Sequence, residues 1–252
     1  MSQYESLAPV YDSLTPDVDY AAFADFYEKI FNLYHIAPSM VMDLACGTGT
    51  LTCLMAERGY EMIGIDASAE MLSEARIKAD SLSCDISPIF VNQSLEELDM
   101  YGTSDAAVCC LDGMNYVHPE DLPEVFRRLN LFIRPGGVLI FDINSPEKLR
   151  SLDGEMYIDE TDETYCVWRT EFDEEENACF YGMDIFTLAE DDRWERSFEE
   201  HIEYAHTTKM LTEMLKNAGF SDIRIFGELT LDAPTEGEQR IFISAENRRE
   251  NG

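Results

Sequence analysis

The residues of this 252-residue chain whose types and spacing point to chemistry are two carboxylates and two glycines. Met40-Val41-Met42 leads through Asp43-Leu44-Ala45-Cys46 into Gly47-Thr48-Gly49-Thr50. Glycines between a strand and a helix let the backbone pass close to a ligand and turn its amides outward, as a nucleotide-type pocket requires. A second apolar run, Met62-Ile63-Gly64-Ile65, ends on Asp66, whose carboxylate can accept from two neighbouring ribose hydroxyls. The plainer reading of the same turn is a tight connection, so its weight depends on what surrounds it.

A dinucleotide reader would carry a third glycine where Thr52 stands. The stretch instead resembles motif I of the class I S-adenosylmethionine-dependent methyltransferases, acidic-x-x-x-Gly-x-Gly, with Asp43, Gly47 and Gly49 on its fixed positions. The resemblance implies that the glycine loop lies beside the amino-acid end of S-adenosylmethionine and that Asp66 holds the ribose. It extends over nearly the whole chain to bacterial small-molecule methyltransferases with an N-terminal lid and a β-insert after strand five, the layout of glycine N-methyltransferase and amino-sugar N,N-dimethyltransferases. Tyr4-Glu5-Ser6-Leu7-Ala8-Pro9-Val10-Tyr11-Asp12-Ser13-Leu14 is similar to that lid, so Tyr11 would close over the cofactor; the alternative is that these tyrosines only cover the sheet edge. Gln93-Ser94-Leu95-Glu96-Glu97-Leu98 aligns with the stretch that meets adenine, but the family usually has an acid where Ser94 stands, and a neutral hydroxyl is the weaker acceptor. Cys110-Leu111-Asp112-Gly113-Met114-Asn115-Tyr116 matches the motif beside the transferable methyl. The cofactor contacts expected from the resemblance are Tyr11, Asp43, Ala45, Gly47, Gly49, Asp66, Ala67, Met71, Gln93, Ser94, Leu95 and Asp112. S-adenosylmethionine is the expected cofactor and S-adenosylhomocysteine its product.

A sulfonium methyl is already activated, so alignment can supply roughly 7 to 11 kcal/mol and no covalent residue is needed. An acceptor that must lose a proton calls for a base, and His201 is the candidate; an ordinary packed histidine is the other reading. Asn115 and Tyr116 have polar tips that would orient an acceptor amine or hydroxyl, although Tyr116 would equally fill the sheet edge. No spacing of His, Cys, Asp and Glu suggests a metal site.

The elements that must position these residues alternate. Strands are expected at 40–44, 61–65, 89–91, 106–111 and 137–142, and helices at 50–58, 68–78, capped by Ser68, and 122–132. This is a doubly wound α/β pattern. After Asp142 the segments 164–172, 178–188 and 194–204 read as antiparallel hairpins, followed by a helix at 207–218 and strands at 223–226 and 240–245. The fold expected from the resemblance is a seven-stranded Rossmann-like sheet of order 3-2-1-4-5-7-6, strand seven antiparallel, with a small antiparallel β-subdomain inserted. Residues 1–150 and 205–247 would form the cofactor-binding core, 1–35 its lid and first helix, and 151–204 the insert over the acceptor. The tail 247–252 is expected to fray.

Composition narrows the function. With 18 Lys and Arg against 51 Asp and Glu, the formal charge is −33, which repels a phosphate backbone and argues against nucleic acid as acceptor. From 153 to 200 there are 18 acidic and 3 basic residues. A solvated face explains them most simply, while attraction of a cationic substrate tilts the choice slightly towards an amine. Seven cysteines without a Cys-x-x-Cys pair read as reduced thiols. The absence of a long apolar run and of a signal-peptide pattern predicts a cytoplasmic protein with no membrane association. The expected function is methyl transfer to nitrogen or oxygen of a small molecule. A nicotinamide-dependent oxidoreductase and a catalytically silent S-adenosylmethionine-binding module are the competing readings.

Overall fold

The computed structural model describes residues 4, 6–189 and 191–248; of the tail expected to fray from 247, Asn247 is instead the buried last residue of a strand, hydrogen-bonded to Asn130 and Ile133, and the rest beyond 248 lies outside the described residues. A short helix α1 (Tyr11–Leu14) precedes α2 (Tyr20–Leu33), which starts where the Asp19 carboxylate accepts from the Ala22 amide at 2.9 Å. Then strands and helices alternate: β1 (Met40–Leu44), α3 (Thr50–Glu57), β2 (Glu61–Asp66), α4 (Ala69–Ala79), β3 (Ile89–Asn92), β4 (Ser104–Cys109), α5 (Leu122–Phe132) and β5 (Ile133–Asn144). Helix α6 (Pro146–Ser151) leads to β6 (Met156–Glu160), β7 (Thr164–Asp173), β8 (Ala178–Leu188) and β9 (Trp194–Tyr204). Helix α7 (Thr208–Asn217), β10 (Phe220–Phe226) and β11 (Arg240–Asn247) complete the chain.

The large sheet runs β10-β11-β5-β4-β1-β2-β3, parallel except that β11 is antiparallel to both neighbours. This is the expected order, with β10 and β11 as its sixth and seventh strands. Both faces are buried, which is why its central strands read as apolar runs. Phe126 and Leu129 of α5 and Leu211 and Leu215 of α7 pack on Met42, Ala107, Leu139 and Phe141. On the other face Phe26, Tyr27 and Ile30 of α2 meet Val41, Val108, Ile140 and Phe242. Among the described residues no helix is long and apolar enough to cross a membrane.

The second sheet has four antiparallel strands, β6-β7-β8-β9, where three were expected. Strand β6 is an edge strand with Met156, Tyr157 and Ile158 exposed, so it lacks the alternation that marks a half-buried strand. On β9 the period-two rule sends Glu199, His201 and Glu203 to the buried face and leaves Glu200 exposed.

Candidate functional site

The carboxyl ends of β1, β2 and β4 meet at the glycine loop. Ala45, Gly47 and Gly49 have φ of 50°, 54° and 70°, and the amide of Gly47 donates to Asp66 Oδ2 at 2.8 Å. Asp66 Oδ1 accepts from the Ser68 amide, also at 2.8 Å, so one carboxylate ties the loop to the start of α4. Each oxygen keeps acceptor capacity for a ligand. Burial raises the Asp66 pKa, and the Ser68 and Gly47 amides oppose it.

The two loop glycines do different work. A Cβ on Gly47 would meet nothing within 4 Å, whereas on Gly49 it would lie 2.8 Å from Ala75 Cβ and 3.0 Å from Phe90. Gly49 therefore lets α4 and β3 close behind the loop. Asp43 is fully buried beneath it: Oδ2 accepts from the Thr52 hydroxyl at 2.5 Å, and Oδ1 has no partner. Burial pushes this carboxyl up to about 7. Thr52 thus gives the position that a dinucleotide fingerprint fills with glycine a hydrogen-bonding task.

Over the loop lies a cavity of about 400 Å³, within the usual range for small-molecule sites. Tyr11, Ala45, Gly47, Asp66, Ala67, Met71, Gln93, Ser94 and Leu95 line it, all expected from the sequence. Asp43 and Gly49 stand behind its wall. Glu96 lines the same end as Ser94, and Tyr4, Tyr20 and Tyr116 add aromatic faces.

A second cavity of about 240 Å³ shares Tyr4, Tyr11, Leu111 and Tyr116 with the first. Asp112 lines this smaller chamber and not the larger one. Leu111 and Asp112 both hold left-handed backbone, φ 54° and 57°, a strained turn fixed by the Asp112 amide donating to Asp142 Oδ2 at 3.0 Å. Arg240 pairs with Asp112 at 2.9 Å and also with Asp142. Burial raises the Asp142 carboxyl to about 6 against the pull of that guanidinium. Nothing in the sequence motif singled out Arg240, because it arrives from β11, 128 residues further on.

The wall opposite is the second sheet, contributing Trp168, Tyr181, Met183, His201 and Glu203. His201 is 2% exposed; its Nε2 lies 3.1 Å from Glu199 Oε2 and its Nδ1 has no partner. The Tyr4 ring lies against the imidazole, centroids 4.3 Å apart. Glu199 also accepts the amides of Tyr4, Ser6 and Leu7 at 3.0, 2.5 and 3.0 Å, so the N-terminal segment is fastened to β9. Burial works to raise the Glu199 pKa, but His201 and the amides of Ser6 and Leu7 outweigh it and hold the carboxyl low. Glu203 is buried, accepts from Asn144 Nδ2 at 2.7 Å, and is pushed up to about 8 by burial and by Asp112.

Asn115 lines neither cavity. Its amide donates to the carbonyls of Asn144 and Tyr204 at 3.2 and 3.0 Å and accepts from the Asn144 amide at 3.0 Å, joining β5 to β9. Tyr116 lines both cavities, and burial keeps its phenol and that of Tyr4 protonated. His206, with no partner evident from sequence, bonds the Val117 carbonyl at 3.1 Å, and burial lowers it to about 4.

With this geometry in place, similarity to known proteins is informative. A family model described as a methyltransferase domain matches residues 41–137. YqeM of Bacillus subtilis (strain 168), which its name places among methyltransferases without an acceptor, is 30% identical over 250 residues, 98% of each chain. The crystal structure of an S-adenosylmethionine-dependent methyltransferase from Clostridium acetobutylicum ATCC 824 superposes with a TM-score of 0.85 at 28% identity, covering 96% of this chain and 98% of that one. The sugar N-methyltransferase KedS8 from Streptoalloteichus sp ATCC 53650 shares the fold, with a TM-score of 0.77 at 18% identity over 99% of this chain and 97% of that one.

Proposed function

Because the chain belongs to the class I S-adenosylmethionine-dependent methyltransferases, we propose that it methylates a nitrogen or oxygen of a small molecule seated in the smaller cavity. The observation that carries this reading is the shared wall. Tyr4, Tyr11, Leu111 and Tyr116 border both cavities, so donor and acceptor meet there away from bulk water. The bound sulfonium supplies a methyl carbon ready for in-line displacement, and the chain's residues bind, align and manage protons.

The larger cavity suits the donor. Gly47 leaves open space at the loop, Asp66 has acceptor capacity left for ribose hydroxyls, and Ser94 and Glu96 offer acceptors for an adenine amino group. Tyrosine faces attract a ligand cation, and four tyrosines border this cavity. Asp43 and Gly49 shape the loop from behind, and Asp112 with Arg240 fixes the turn between the cavities. His201, oriented by Glu199, takes the acceptor's proton, with Tyr116 at the junction and Asn115 holding the strands behind it. Residues 151–204 roof the acceptor.

Calorimetry with S-adenosylmethionine, S-adenosylhomocysteine and NAD on the full chain tests the reading. The first two bind and NAD does not, and Asp66→Ala weakens them by about 1.5 to 3 kcal/mol. Tight NAD binding with no response to either sulfur compound overturns it.

A further inference from the structure

One carboxylate on the wall of the smaller cavity, Glu203, forms no ion pair among the described residues. Glu203 is 4% exposed, and among the described residues no cationic group lies within 4.0 Å of it. The charges around it are already committed. Asp112, across the chamber, is paired with Arg240, and Glu199, on the same strand, is spent on the lid amides and His201. Lys148 of α6 turns to Asn144 Oδ1 at 2.7 Å, and its charge favours the Glu203 carboxylate by less than burial and Asp112 oppose it. From β8 come the Tyr181 hydroxyl and the Cys179 thiol, and from the lid and the β4 end the phenols of Tyr4 and Tyr116; burial raises all four and keeps them protonated. On the same wall, His201 keeps an unpartnered buried nitrogen. Glu203 accepts from Asn144 and is hydrogen-bonded to the Tyr181 hydroxyl, but a buried carboxylate that no ion pair neutralises either holds its proton or meets a cation.

We propose that Glu203 is the anchor for a protonated amine, and that the small molecule methylated in this chamber is therefore an amine and not an alcohol; this rests on the methyl-transfer reading above. In the empty chamber Glu203 carries its proton near neutral pH, because burial and Asp112 raise its carboxyl to about 8. When the ammonium enters, that proton leaves to solvent and a carboxylate–ammonium pair forms. For transfer, the nitrogen gives one proton to Nδ1 of His201, and its freed lone pair forms the N–C bond. The C–S bond breaks with its electron pair on sulfur, the positive charge passes to the methylated nitrogen, and the imidazolium returns its proton to water. An alcohol of the same size offers only a hydrogen bond to the neutral acid and releases no proton.

The experiment titrates the full-length protein, saturated with S-adenosylhomocysteine, with propan-1-amine hydrochloride at pH 7 in phosphate and in HEPES. The dependence of heat on buffer ionisation enthalpy counts protons. The expected result is close to one proton released per amine bound, at least tenfold weaker binding of propan-1-ol, and loss of both proton release and amine preference in Glu203→Gln. An unchanged buffer dependence of zero in the native protein, which needs no variant to fold, overturns the proposal; so does Glu203→Gln binding the amine as tightly as the native chain. Saturation by S-adenosylhomocysteine without the amine signature removes this inference alone, whereas failure to bind S-adenosylhomocysteine removes the methyl-transfer reading and this inference with it.

Discussion

His201 combines the two properties that a base in this chamber needs: an oriented ring and a vacant nitrogen. With Nε2 held at 3.1 Å by Glu199, the tautomer that leaves Nδ1 as acceptor is favoured, and the Tyr4 ring packs against the buried imidazole. His201→Gln keeps the polarity of the site but cannot take a proton. Its kcat should fall by about 100-fold or more while affinity for S-adenosylhomocysteine stays within twofold of native. Steady-state kinetics and calorimetry check this pair of results, and full turnover from pH 6 to 9 would retire the histidine as base. His201 drew attention in the sequence by its place on the last insert strand, over the carboxyl ends of the core strands, and the structure puts it on the wall of the smaller cavity. Glu199 and Glu203 did not, since two glutamates among 51 acidic residues read as solvated surface until strand register separates them from exposed Glu200. Ser94 stood out as a departure from the family pattern, but Glu96, two residues on, was not singled out because only the three-dimensional wall shows which side chains line the cavity.

The lid segment and β9 act as a coupled pair. At one end Glu199 gathers the amides of Tyr4, Ser6 and Leu7. At the other, Asp12 of α1 accepts from Thr48 in the glycine loop at 2.6 Å and pairs with Lys78 of α4 at 2.7 Å. Tyr4 and Tyr11, which these contacts hold in place, border both cavities. Glu199→Ala removes the acceptor for three amides whose charge-assisted bonds are worth about 1.5 to 3 kcal/mol each. Amide hydrogen exchange at Ser6 and Leu7 should accelerate at least tenfold, with exchange in β1 and β4 unchanged; equal protection in native and variant would show that the lid is held by its apolar contacts alone. The buried parallel strands β1, β2 and β4 were visible as short apolar runs, and the amphipathic stripe of α5 marked its ends to the residue. Strand β5 begins four residues before its expected start, because a register shift absorbs Arg134-Pro135-Gly136-Gly137 into the strand where the sequence reads a stop. Helix α6 and edge strand β6 were hidden by their brevity and by the exposure of β6, which gives no periodic pattern to read.

At the scale of the whole molecule, the charge of −33 is largely at the surface, but Asp43, Asp142 and Glu203 carry part of the acidity inside. All three basic residues between 153 and 200 pair within the insert, Arg169 and Arg196 with Asp184 and Arg193 with Asp191, so most of the acid there is left to face water. The buried acids set an unusual dependence of stability on pH. Folded Asp43 and Glu203 titrate at about 7 and about 8, above their ordinary values of 3.8 and 4.5, so between pH 6.5 and 8 the native state binds more protons than the unfolded chain. Stability therefore falls as pH rises through this window. Asp142, at about 6, is mostly past its transition, and His206, lowered to about 4, opposes the trend by only about 0.4 kcal/mol, complete near pH 7.5 as the unfolded imidazole loses its last protonated fraction. Carboxylates held low by partners, such as Asp105 and Asp184, are ionised in both states. Denaturant unfolding of the ligand-free protein should lose about 2 kcal/mol from pH 6.5 to 8, from one and then the other group at ~1.36 kcal/mol per unit. Added salt should raise stability at every pH by screening surface repulsion and leave the slope nearly unchanged, because buried groups are screened least. The double variant Asp43→Asn, Glu203→Gln should flatten the curve. A native protein whose stability is level or rising over this window, or a double variant with the native slope, would mean that these two carboxyls are ionised in the folded chain at neutral pH.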